Sequence, residues 1–195
     1  MSGPVLLFDV MDTLVVDPAF TALPEFFGMP VERMFRELRP GLWVEFEKGR
    51  ISEDEYFRRL FVDGRAVDRE AMCACLRDAY SWVEGMEELL RDLHRRGVEM
   101  HVLSNYPVWW RMIEERLGLS RYLPWSFVSC MTGVRKPERE AFLGPAAWLG
   151  RRPKDLLFID DRQRNIDGAA AVGVEAILFE GADSLRAELE LRIHA

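Results

Sequence analysis

The sequence predicts an α/β fold, a doubly wound parallel sheet with a small all-helical insertion directly after the first strand. Val5-Leu6-Leu7-Phe8 and Leu156-Leu157-Phe158-Ile159 are unbroken apolar runs, the pattern of strands buried on both faces, and each stops at a carboxylate. From Gly85 onward helical and strand patterns alternate, whereas residues 16–82 carry helical patterns with almost no strand signal. Helices joining buried parallel strands imply right-handed crossovers.

The elements follow in order. After a strand over 5–8, Pro30 opens a helix over 30–38. Ser52-Glu53-Asp54-Glu55 reads as a capping box leading into an amphipathic helix, and a third helix covers 68–80. A helix over 86–96 turns Leu89, Leu90 and Leu93 inward and stops at Gly97; a strand over 98–103 then ends at Ser104-Asn105. A helix over 107–117 closes at Gly118, and a short strand over 126–129 leads through Gly133 to Arg135-Lys136-Pro137. A helix over 138–149 precedes the strand over 156–159, which ends at Asp160-Asp161. A helix over 164–172 comes next, where Gly168 and Ala169 to Ala171 allow close approach to the sheet. A strand over 176–179 and a helix from 184 close the chain. Residues 1–15 and 83–195 are thus expected to form one core, and 16–82 the insertion.

A chain of 195 residues, 49% hydrophobic and 30% charged, suits one sizeable core plus an insertion. A net charge of −7 opposes a phosphate-gripping nucleic-acid surface, since Arg95-Arg96 and Arg151-Arg152 are too short to form a basic stripe. No apolar stretch approaches the ~20 residues of a membrane span, and Met1-Ser2-Gly3-Pro4 leaves no room for a signal peptide, so a cytoplasmic protein without membrane partners is expected. Monomer and homodimer are both open. Cys73, Cys75 and Cys130 offer neither a disulfide framework nor a zinc pattern. His94, His101 and His194 lack metal-ligand spacing, and His101 reads as a packed strand residue.

The chemistry follows from what ends the strands. Asp9, Ser104-Asn105, Lys136 and Asp160-Asp161 converge on one edge of one sheet, the edge where open parallel sheets bind ligands. Singly, each has an ordinary reading: a Ser-Asn turn, a solvated lysine, acids starting a helix. Jointly, three clustered carboxylates repel one another unless a cation neutralises them, and oxygen-only ligands suit magnesium. Magnesium on Asp9, Asp160 and Asp161 leaves positions for a phosphate oxygen, with Lys136 and Ser104 neutralising and hydrogen-bonding the same group. Asp9 is then placed to attack phosphorus and form an aspartyl-phosphate that water hydrolyses.

Phe8-Asp9-x-x-x-Thr13, Ser104-Asn105, Arg135-Lys136-Pro137 and Phe158-Ile159-Asp160-Asp161 resemble the four motifs of the haloacid dehalogenase superfamily, in order. The resemblance implies a Rossmann-like core with the insertion as a helical cap over the site, and Phe46 to Ser52 is similar to a cap segment of one subfamily. A narrower similarity is to a plant plastid branch that hydrolyses flavin mononucleotide. It is carried by Phe8 to Thr13, Phe26 to Met29, Glu45 to Gly49, Asp63 to Arg65, Asn105 to Pro107 and Phe158 to Arg162. It implies a small phosphorylated substrate of the flavin mononucleotide kind, here without the branch's plastid-targeting extension.

One departure matters. Phosphatases of this superfamily carry a second aspartate two residues after the nucleophile to protonate the leaving group, and here that position is Met11. Its backbone carbonyl still suits a magnesium ligand. Asp12, at the usual glycine position, is a candidate replacement acid but is read chiefly as a turn residue, with a substrate- or metal-bound water as the other candidate proton source. The same gap keeps a dehalogenase-like reaction open, as well as a catalytically weak flavin-, phosphate- or partner-binding module. Substrate choice is expected from Trp43 and Phe46, then Tyr56 and Phe57, with Tyr106 facing the site and Trp109 and Trp110 divided between cap and sheet. Arg135 is open between an acid and a phosphate, and Asn165 is expected to orient the loop carrying the paired aspartates.

Overall fold

The computed structural model describes residues 3–193, so Met1, Ser2 and His194 lie outside it. Five parallel strands form one sheet in the order β3-β2-β1-β4-β5: β1 (Val5–Phe8), β2 (Met100–Ser104), β3 (Phe127–Val128), β4 (Leu156–Asp160) and β5 (Glu175–Leu178). β1 is central, which explains its continuous apolar run. Leu6 and Phe8 pack into one core layer with the insertion, and Val5 and Leu7 into the opposite layer with Phe142 and Phe158.

The insertion holds α1 (Ala22–Phe27), α2 (Val31–Glu37), α3 (Leu42–Glu47), α4 (Glu53–Arg59) and α5 (Arg69–Ala79). Ser52 accepts a hydrogen bond from the Glu55 N–H, and Asp68 caps α5 through the Ala71 N–H. The chain leaves and re-enters the sheet layer side by side, with the Val16 N–H on the Ser81 carbonyl and the Val83 N–H on the Leu14 carbonyl, each at 2.9 Å.

The remaining helices are α6 (Met86–Arg95), α7 (Trp110–Leu117), α8 (Ser129–Thr132), α9 (Glu140–Trp148), α10 (Gln163–Ala170) and α11 (Ala182–Ile193). Met86, Leu89, Leu90 and Leu93 of α6 are all buried, as their spacing predicts. His101 is packed, its Nδ1 2.7 Å from the Ser126 hydroxyl, and the three cysteines are free thiols. No helix among the described residues is long and apolar enough to cross a membrane.

Gly168 does something other than admit α10 to the sheet. A Cβ there would lie 2.6 Å from the Pro137 Cβ, so the missing side chain admits the loop that follows Lys136. Of the adjacent alanines only Ala169 is buried. Gly168→Ala should lower stability by about 1–3 kcal/mol through overpacking, reversing the usual helical preference for alanine. Thermal unfolding checks it: a fall of about 2–4 °C per kcal/mol is expected, and an unchanged or higher Tm contradicts the close contact.

Candidate active site

The sheet brings the predicted residues to one edge because β1 lies between β2 and β4. The Asp9 N–H extends the ladder to the Ile159 carbonyl at 2.9 Å, which places Asp9 beside Asp160. Lys136 arrives from the loop after α8 and is fixed at its backbone by Asn105. The Lys136 N–H donates to Asn105 Oδ1 at 2.8 Å, and Asn105 Nδ2 donates to the Lys136 carbonyl at 2.9 Å. The lysine is 1% exposed, and its ammonium lies 2.8 Å from Asp9 Oδ1 and 2.7 Å from Asp160 Oδ2.

Asp160 is fully engaged. Its Oδ1 accepts from the Arg162 N–H and from Asn165 Nδ2, and its Oδ2 from Lys136 and again from Asn165 Nδ2. Asp161 differs: Arg162 Nε stands 3.7 Å from its Oδ2, and its Oδ1 is buried with no hydrogen-bond partner. One oxygen each of Asp9, Asp160 and Asp161 lies within 4.8 Å of the others.

One ammonium cannot balance three carboxylates. Burial pushes Asp9 up to about 7, against the pull of Lys136 and with the push of Asp160. Burial and Asp160 also raise Asp161. An oxygen-only donor set with excess negative charge and one unpartnered buried oxygen fits a hard divalent cation.

Asp9 and Lys136 line the floor of a cavity of about 400 Å³ whose opposite wall is the insertion, and Asp160 and Asp161 stand beside them off its lining. Trp43 and Tyr56 are on that wall, while Tyr106 and Met11, a thioether with no proton to give, line the cavity from the sheet side. Trp43 keeps 36% of its surface exposed, with its ring 5.9 Å from both Tyr106 and Trp109. Phe46 corrects the sequence reading. It is 1% exposed, does not line the cavity, and stacks on Tyr56 at 4.4 Å, where it backs the aromatic wall. Phe57 is likewise buried behind it.

Ser104 ends β2 as expected, yet its hydroxyl is buried without a partner and the residue is not on the wall of this cavity. Asn105 is on the wall, with its amide committed to the Lys136 backbone. Asp12 has φ 55, a left-handed turn that aspartate tolerates, and its Oδ1 accepts from the Asp17 N–H at 3.0 Å. Trp109 lies under the insertion with its indole on Glu53, whereas Trp110 packs against Trp125.

Among the lining residues that escaped the sequence reading are four charged ones, Asp17, Arg39, Glu47 and Arg162. Glu47 forms a buried ion pair with Arg135, facing it charge to charge rather than along a well-aligned hydrogen bond. Burial raises the Glu47 carboxyl and Arg135 opposes it. A glutamate in the last turn of a helix, where the dipole disfavours an anion, was the available signal.

Comparisons with known proteins agree with this geometry. A family model described as haloacid dehalogenase-like hydrolase matches residues 4–173. The chloroplast flavin mononucleotide hydrolase 1 of Arabidopsis thaliana is 47% identical over 186 residues, covering 95% of this chain and 76% of the relative. A ribulose-1,5-bisphosphate 5-phosphatase of Halopiger xanaduensis is 31% identical over 138 residues, 66% of this chain and 58% of its own. The crystal structure of a haloacid dehalogenase family enzyme from Bacteroides thetaiotaomicron superposes with a TM-score of 0.78 at 20% identity, over 97% of this chain and 99% of that one. That last likeness concerns the fold.

The two paired aspartates should separate by experiment. Asp161→Asn is expected to weaken binding of a divalent cation by at least about tenfold, with little change in the Tm of the chelated protein. Asp160→Ala, which strips Lys136, Asn165 and the Arg162 N–H of their partner, should cost about 3–5 kcal/mol of stability. Calorimetric titration with magnesium and thermal unfolding in chelator check both, and equal behaviour of the two variants contradicts the division of roles.

Proposed function

The chain belongs to the haloacid dehalogenase-like hydrolases, and on that premise we propose that it is a magnesium-dependent phosphomonoester hydrolase acting through an aspartyl-phosphate, with flavin mononucleotide as its substrate. The observation that carries the reading is the Lys136 ammonium bonded to both Asp9 and Asp160 beside the unpartnered oxygen of Asp161.

Asp9 and Asp161 would hold the magnesium ion, with the Met11 carbonyl available to complete the protein's share and Asp160 contributing through its charge. When bound, such an ion would supply positive charge that favours the Asp9 carboxylate, which burial otherwise disfavours. Lys136 holds that carboxylate in place and neutralises a second phosphoryl oxygen. Asp9 would then attack phosphorus in line with the ester oxygen, with Lys136 beside it to neutralise charge developing on the equatorial oxygens. Ser104, whose buried hydroxyl has no partner but does not line the cavity, would have to turn that hydroxyl toward it to bond the phosphate. Dehalogenation needs no cation and gives no reason to crowd three acids into a buried site, where the repulsion is costly.

Residues 16–82 act as the cap and 1–15 with 83–195 as the core, in keeping with the paired crossings at Val16 and Val83. The core side of the cavity recognises phosphate, and the cap side presents Trp43, Tyr56 and the core's Tyr106 to the remainder of the substrate. A flat, partly apolar ring system suits those faces. The Arabidopsis relative, whose printed name gives flavin mononucleotide as its substrate, supports the same choice.

Phosphate release from a panel of flavin mononucleotide, sugar phosphates and nucleotides tests the proposal. Release should require magnesium, vanish in Asp9→Asn and favour the flavin ester. Trp43→Ala should raise KM for flavin mononucleotide about tenfold, ~1.4 kcal/mol, and leave a small sugar phosphate unaffected. Flat activity across the panel removes the flavin assignment; metal-independent release removes the mechanism.

A further inference from the structure

With Met11 at the expected acid position, the alkoxide that leaves phosphorus still needs a proton. We infer that Asp17 supplies it, acting as general acid on the leaving oxygen and then as general base on the attacking water. This rests on the phosphomonoesterase reading above.

The cavity wall narrows the choice. Its carboxyl groups are Asp9, Asp17 and Glu47. Asp9 is the nucleophile, and Glu47 is held against Arg135. Tyr106 bonds the Tyr80 hydroxyl at 2.8 Å, and burial drives both Tyr106 and Tyr56 far above the ordinary phenol range, which makes them poor donors at neutral pH. Asp12 is committed to the Asp17 N–H and is not on the wall.

Position favours Asp17 as well. Its carboxyl interacts electrostatically with Asp161, Asp12 and Arg162 on the phosphate side, and with Tyr80 and Tyr106 on the aromatic side. It therefore sits at the boundary between the two halves of the cavity, which is where the bond between phosphorus and the organic part must lie. Its backbone is fixed by Asp12, its Oδ1 accepts from the Ala19 N–H at 2.9 Å, and its Oδ2 makes no hydrogen bond among the described residues. Burial raises its pKa, Asp12 and Asp161 add to that, and Ala19 and Arg162 oppose it. A carboxyl held above its ordinary range keeps more of its proton near neutrality.

The protons balance. As Asp9 bonds to phosphorus and the ester P–O bond breaks, the Asp17 proton passes to the leaving oxygen, giving a free alcohol. Asp17, now a carboxylate, takes a proton from water as that water attacks the aspartyl-phosphate. The Asp9 oxygen leaves phosphorus, inorganic phosphate departs, and Asp17 is again protonated.

Dependence on the leaving group separates this role from a structural one. The probes are flavin mononucleotide, whose alkoxide leaves poorly, and p-nitrophenyl phosphate, whose phenolate leaves without a proton. The quantity read is kcat/KM, which reports steps through ester cleavage, with magnesium saturating. Asp17→Asn, which keeps the Oδ1 acceptor for Ala19, should lose about 10²- to 10⁴-fold on the alkyl ester and no more than a few-fold on the aryl ester. Equal losses on both esters, or none on either, overturn the assignment. If the unaltered protein cleaves neither ester with magnesium, the phosphomonoesterase reading fails instead, and this inference with it.

Discussion

The rest of the structure depends on a fully buried ammonium shared between two carboxylates. Taking Lys136, Asp9 and Asp160 out of water is expensive, and the arrangement survives because the ammonium is paired with both carboxylates and both oxygens of Asp160 are hydrogen-bonded. Asn105 clamps the lysine's backbone from the end of β2, and Asn165 holds both oxygens of Asp160 from α10. Gly168 lets the loop after the lysine lie against that same helix. Three different strand ends and one helix converge on a single charge. What they leave over is negative, and that surplus is what makes the edge a place for a cation and an anionic ester together.

The insertion is tied to this edge through the same loop. Glu47 at the end of α3 meets Arg135, Lys48 reaches Glu138 at 2.8 Å, and Ser129 donates to the Glu47 carbonyl. Gly49 lies so close to the Cys130 carbonyl that a Cβ would stand 2.5 Å from it. The loop that carries the lysine thus also seats the wall that faces the substrate. Phe46, behind that wall, interlocks with Tyr56 and Trp109 on it, so the exposed face of Trp43 is held by buried rings rather than by its own helix alone.

Much of this was legible in the sequence. β1 and β4 announce themselves because a central strand must be apolar on both faces, and acids that stop such runs have few structural reasons to be there. Asp9, Asp160, Asp161 and Lys136 accordingly come together as expected. The helices α1 and α3 were not read because six residues are under two turns and give no periodicity to count. Phe46 was read as a substrate face because an aromatic residue in a cap segment looks the same whether it lines a wall or backs it. Ser104 ends its strand where expected, but a residue's rank along a strand says nothing of which way its hydroxyl turns. Asp17 and Glu47 were missed because each gains its place from contacts across the chain: Asp17 from a turn built on Asp12, Glu47 from an arginine 88 positions away, counting from 47 to 135.

The account turns on Asp9 carrying the phosphoryl group. Acid-quenching the magnesium-loaded protein during turnover of flavin mononucleotide, followed by peptide mass spectrometry, tests this most directly. The mass of one phosphoryl group is expected on the peptide containing Asp9, labile in mild base and absent when the cation is chelated. A quenched protein that turns over substrate yet carries the group on another residue, or never carries it at all, contradicts the account.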